Sequence, residues 1–195
     1  DTATTEIYTF SLHDALPISL REFLHIQQAL TDEVEMTAEN FPKPSRLCGR
    51  QVPNNLDSLM FEQLCRLQTI RNVHALLLIP PEIILGLPAA KIMRTSARDA
   101  IGFAIWVGTE IERINKLFQS TIVNPTKEEI AAGIERLRFG PFGMVDWFAQ
   151  RMHIADHDQV MALPWLRLYE CARIDARRAE YERRLRDIYQ QKNKL

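Results

Sequence analysis

The run His153-Ile154-Ala155-Asp156-His157-Asp158 gathers the side chains with which proteins hold a divalent metal. Imidazole nitrogens and carboxylate oxygens are metal ligands, and a metal-bound water is acidic enough to act as a nucleophile near neutral pH. A metal-dependent hydrolase centred on His153, His157 and Asp158 is therefore one chemistry open to this chain. The same string has a plainer reading. Asp156 or Asp158 can accept from the free backbone N–H groups that open a helix, worth about 1 kcal/mol, with both histidines on a solvated turn. That reading needs no further residues, so no metal ligand, cofactor site or catalytic residue is assigned.

His157-Asp158 superficially resembles the paired motif of the HD phosphohydrolases. That family also requires an upstream histidine and a downstream aspartate on neighbouring helices. His74 and Asp175 are the only candidates, and neither has a supporting pattern around it. A second group is aromatic: Trp106, Trp147 and Trp165, with Phe103, Phe118, Phe139, Phe142 and Phe148, could stack a ligand. Their spacing along amphipathic segments assigns them to the core more simply. A third group, Arg173, Arg177, Arg178, Arg183, Arg184 and Arg186, could track a phosphate backbone, as in a helical nucleic-acid-binding regulator. Asp175, Glu180, Glu182 and Asp187 are interleaved with them, the pattern of a solvated helix face laced by ion pairs. Glu180–Arg184 and Glu182–Arg186 stand four apart, where such pairs contribute roughly 0.2–0.5 kcal/mol each. Nucleophile elbows, phosphate-binding loops and dinucleotide fingerprints are absent, so the chain reads as a non-enzyme.

Glycine is scarce, β-branched alternation is nearly absent, and apolar residues recur at three and four. The expectation is an all-α fold of about seven helices in a compact bundle, ending in a C-terminal helical hairpin. Ser19 to Glu33 carries a first stripe, and Met36 to Phe41 another turn. Phe41 to Asn55, with Pro42, Pro44, Gly49 and Pro53, reads as an ordered loop. Asn55 or Asp57 should cap the helix of Leu59, Leu64 and Leu67. Val73 to Ile79 is apolar on nearly every side and expected to be central, stopped by Pro80 and by Pro81, which then starts a short helix to Leu87. Ser96 should cap a long helix from Ala97 to Gln119, its stripe interrupted by Glu110. Thr126 and Glu129 form a capping box for a helix to about Leu137. Gly140 and Gly143 flank a reversal before Met144 to Met152. Asp156 or Asp158 starts a further turn, and Pro164 precedes a last helix from Trp165 to about Gln191. Turn signals place one division at 124/125, between a helical body over 19–124 and a C-terminal subdomain over 125–195.

The first eighteen residues, DTATTEIYTFSLHDALPI, resemble the translation of a short-read sequencing adapter in the frame DTATTEIYTLSLHDALPI, with Phe10 for leucine the only departure. The match implies a partial gene from a metagenomic assembly whose authentic start is missing, so Tyr8, His13 and Asp14 receive no functional reading. The chain holds 24 basic and 25 acidic residues; without Asp1, Glu6 and Asp14 the acids fall to 22 and the formal charge rises from −1 to +2. So balanced a chain has no general pull toward nucleic acid or an anionic membrane. Its longest apolar run, Ala75 to Ala90, is broken by Glu82 and three prolines, too short for a membrane span. Cys48, Cys65 and Cys171 are odd in number and widely spaced, which fits a reducing compartment, with Cys65 a small core residue.

Two stretches resemble the tail assembly chaperones of long-tailed phages. The first is Asn55-Leu-Asp-Ser-Leu-Met-Phe-Glu-Gln-Leu-Cys-Arg-Leu-Gln68 with the apolar run to Pro80, similar to the family's Phe-Gly-Gln-like turn and apolar helix; Glu62 replaces the glycine. The second is Glu129-Ile-Ala-Ala-Gly-Ile-Glu-Arg-Leu-Arg-Phe-Gly-Pro-Phe-Gly-Met-Val-Asp146, leading to Leu163-Pro-Trp-Leu-Arg-Leu-Tyr169 and Tyr181-Glu-Arg-Arg-Leu185. The resemblance implies a non-catalytic protein in the host bacterial cytoplasm. Its partner would be the helical tape-measure protein, and the tail-tube protein a further one. An apolar groove offered to partner helices suits that role, and adaptable Met60, Met93, Met144, Met152 and Met161 could contribute to it. Partner contact is assigned to Met144, Trp147, Trp165 and Tyr169, with no cofactor.

Overall fold

A computed structural model describes residues 19–22, 24, 39–137 and 139–192, the side chain of Glu135 excepted. Asp1 to Ile18 lie outside the described residues, as does most of the first expected helix, of which 20–22 and 24 are helical. Helix dominates, with one small two-stranded ribbon, so the fold is all-α. The ribbon pairs β1 (Arg46–Leu47) with β2 (Arg50–Gln51). The helices are α1 (Phe61–Gln68), α2 (Val73–Leu85), α3 (Ala89–Ile92), α4 (Ala97–Gln119), α5 (Lys127–Ala131), α6 (Gly140–Met152), α7 (His157–Met161) and α8 (Trp165–Lys192). None among the described residues is long and apolar enough to cross a membrane.

Packing divides the described residues into two units, one within 1–52 together with Val73–Trp106 and one of Pro53–Asn72 together with those of 107–195. These divisions differ from the one at 124/125. Asn124-Pro125 lies in the connection between α4 and α5, whereas the units exchange segments: 53–72 packs with the later chain, and α4 contributes to both.

In the first unit Leu20, Leu47, Ile92, Ile101 and Phe103 are fully buried. The ribbon corrects the expected loop over 41–55. Its turn is Cys48-Gly49, with φ of 47° and 80°, and two successive positive values give the twist that suits a tight hairpin. α2 is a second correction, because it runs through Pro80 and Pro81 rather than ending before them. Both prolines are buried, and that apolar burial offsets the loss of the hydrogen bonds their rings cannot make. The stretch before them is less central than its composition suggests: Leu77 is buried but Val73 is exposed. α4 has the expected bounds. At Gly102 it meets the chain so closely that an added Cβ would lie 2.3 Å from the Pro42 carbonyl oxygen.

In the second unit α1 begins at Phe61, later than an Asn55 or Asp57 cap would place it. Asn55 instead accepts from the Asp57 N–H, and Gln63 Oε1 accepts from the Met60 N–H at 3.0 Å. Cys65 is half-buried, and burial pushes its thiol up. Glu110 proves to be structural: its carboxylate accepts from the Leu56 N–H at 3.0 Å and from Arg113, which also reaches Asp57 at 2.6 Å. Hydrogen bonding to Glu110 holds the Arg113 guanidinium even more firmly in its charged form. The Thr126–Glu129 capping box is present, but α5 stops at Ala131, because Gly133 turns left-handed and only a 3-10 turn follows at Ile134–Arg136. α6 starts at Gly140, with Pro141 in its first turn, so Gly143 lies inside the helix. On α8 the expected Glu180–Arg184 and Glu182–Arg186 pairs are not closed; its arginines bond instead through Arg173–Glu170 and Arg183–Glu129.

Two glycines of α4 therefore predict opposite outcomes. Gly102→Ala should lose about 1–3 kcal/mol by overpacking. Gly108→Ala has open space around its new methyl and should gain about 0.5–1 kcal/mol from helix propensity. Urea denaturation of both variants reads the difference directly.

Candidate functional site

Within the second unit residues of α6 and α8 line an open, mostly apolar groove of about 500 Å³. Ala172, Ala176 and Ala179 recur at four and three, so they share one face of α8 and form a floor without bulk. Met144 and Trp147 supply the α6 wall. Thr121, Ile122 and Val123, after α4, join Phe139 at the remaining edge. Gly143 matters to that edge: a Cβ there would sit 2.6 Å from Phe139 Cβ, so only glycine lets Phe139 fold back over the helix start. Phe139 is 69% exposed and Ile122 71%, a large apolar surface left facing solvent.

Two ionic clamps hold the helices around this groove. Arg151 donates to Asp175 through Nε at 3.0 Å and Nη2 at 3.3 Å, and its Nη1 lies 3.0 Å from Cys171 Sγ. The hydrogen bond to Asp175 raises the Arg151 guanidinium above its ordinary range. Farther along α8, Arg183 donates to the Asn124 carbonyl and to Glu129, the same carboxylate that accepts from the Thr126 N–H.

The four residues assigned to partner contact separate. Met144 and Trp147 are half-buried and line the groove. Trp165 and Tyr169 are buried in the core against Phe118, with ring centroids 6.0 and 5.8 Å from it, so they offer no surface. The amphipathic spacing that put the other aromatics inside applied equally to these two. Phe139 and Phe142 err the other way, being exposed where core was expected. Ile122 escapes the sequence reading because it lies in no helix, where periodicity would give it a face, and Phe139 because its spacing with the other aromatics points to the core. The 172/176/179 alanine spacing was the visible signal.

The histidine–aspartate string resolves into helix ends. Asp156 caps α7, its carboxylate accepting from the Asp158 N–H at 2.9 Å. His153 ends α6 in the left-handed region, at φ 55°. His157 places Nε2 3.4 Å from Asp146 and packs edge-on to Phe142. Among the described residues no three His, Cys, Asp or Glu side chains converge as a metal-ion site would require. No protein-family model, curated protein or solved structure matches the chain.

Capping and ligation predict different variants here. Asp156→Ala should lose about 1 kcal/mol, the worth of a cap. His153→Gly relieves a positive φ and should hold or raise the melting temperature. A melting temperature raised by added zinc or manganese, and no longer raised in His153→Gly, would restore the metal reading.

Proposed function

We propose that this chain is a non-catalytic protein-binding adaptor of the tail assembly chaperone kind, whose groove between α6 and α8 receives one face of an amphipathic helix of the tape-measure protein. The observation that carries this reading is the groove itself. It is apolar, floored by alanines, and edged by Phe139 and Ile122, which no interior packing covers. Its volume falls in the range of about 300–1,000 Å³ typical of ligand sites, room for a few large side chains rather than a whole helix. A partner helix would therefore insert residues at i, i+3, i+4 and i+7 and leave its polar face in solvent.

The two clamps suit such a role. Arg151–Asp175 and Arg183–Glu129 fix the groove walls before a partner arrives, which lowers the ordering cost of binding. Met144 adds an unbranched, polarizable wall that conforms to varied apolar side chains. A chaperone that coats a long, repetitive, helix-rich client needs that tolerance. Delivery of the client for polymerisation of the tail tube would require the contact to be reversible.

Trp147 gives the test its signal. Titrating a synthetic amphipathic helix from a tape-measure protein should shift its fluorescence. Ala176→Trp, which fills the floor, and Met144→Glu should each weaken binding by at least about tenfold, as expected for residues at an interface centre. Unchanged binding in both variants, with folding intact, would remove the groove from the function.

A further inference from the structure

The last helix carries a second apolar face. At 100° per residue, Ala172, Ala176, Ala179 and Arg183 lie on the side of α8 that meets the rest of its unit. Ile174, Arg178, Tyr181, Leu185 and Ile188 fall on the opposite side, alternating at four and three. Ile174 is 43% exposed, Tyr181 60% and Ile188 50%. That spacing is the seam of a coiled coil, with Ile174, Tyr181 and Ile188 at d positions and Arg178 and Leu185 at a positions.

We infer that α8 pairs with the α8 of a second copy of this chain, parallel and in register, along Ile174, Arg178, Tyr181, Leu185 and Ile188. The flanking charges select both the partner and the direction. Arg177 and Arg184 occupy g positions; Asp175 and Glu182 occupy e positions. In a parallel pair each g residue faces the e residue five places on in the other helix, so Arg177 meets Glu182 twice, once in each direction. An antiparallel pair would set arginine against arginine along one flank and acid against acid along the other. Among the described residues neither Arg177 nor Glu182 makes an ion pair within the chain, whereas Asp175 is already held by Arg151.

Arg178 sets the strength. In a parallel pair it faces its own copy across the seam, and a charged residue at one a position fixes register at a cost in stability. The pairing is therefore reversible and concentration-dependent rather than obligate. Because this seam lies opposite the alanine floor, it is independent of the groove and of any client.

Sedimentation of the whole chain over about 1–500 µM covers the affinities open to so short a seam. The mass should rise from monomer toward dimer. Tyr181→Glu with Ile188→Glu should hold it at monomer with unchanged helical circular dichroism, since both side chains are exposed. Arg177→Glu and Glu182→Arg should each weaken pairing by at least about fivefold, because each replaces two attractive pairs with two repulsive ones. An equimolar mixture of the two should recover it, as the mixed dimer restores both attractive pairs. A wild type monomeric throughout, a dimer indifferent to the seam variants, or a mixture no tighter than its components would each overturn the inference.

Discussion

The indole N–H of Trp165 donates to the carbonyl of Leu56, 109 residues earlier, at 2.8 Å. The same junction is closed by the backbone: Trp165 N–H donates to Leu59, and Phe61 N–H to Leu163. The indole is fully buried, so its one polar atom must find a partner, and the Leu56 carbonyl supplies it. Leu56 is in turn held by its N–H to Glu110 on α4. One ring thus fixes the start of α8 against the segment before α1, and that segment against α4. Everything α8 presents farther along follows from where Trp165 places its first turn.

From that anchor α8 extends for 28 residues. Large side chains pack the first turns, alanines line the middle, and charged residues dominate the remainder. The core, the groove and the exposed seam are successive or opposed faces of a single element. The groove exists because bulk is withheld at 172, 176 and 179, while the ionic contacts at 151/175 and 183/129 join α6 and the 121–129 segment to α8. Removing side-chain volume from a packed core would create a costly cavity. Here the missing volume faces an open edge, where solvent or another chain can occupy it.

Much of the helical architecture was legible in the residues, and the reasons differ from element to element. α4 announced itself through Ser96 and a long apolar periodicity, and α8 through Pro164 and its interleaved charges four apart. The Thr126–Glu129 box, and a cap at either Asp156 or Asp158, were read from local hydrogen-bonding chemistry alone. Elements decided by tertiary contact were less visible. The Cys48-Gly49 hairpin uses a residue that rarely enters the left-handed region, so half its signal was hidden. α2 runs through two prolines because burial outweighs local propensity, which no window of sequence reports. Of the groove-lining residues, Met144 and Trp147 are two that the sequence had singled out, though for partner contact rather than for a groove wall. Trp165 and Tyr169 were misplaced because an aromatic on a helix does not say whether its face meets a partner or its own core.

The close approach at Gly102 also bears on how this chain can change over generations. Every single-base substitution that replaces a glycine codon with another amino acid installs at least a Cβ, and the Pro42 carbonyl occupies that space. Position 102 can therefore vary only after the segment around Phe41 and Pro42 has moved. The two sites should drift together or not at all, a coupling between a loop and a helix that shared ancestry would preserve as paired changes.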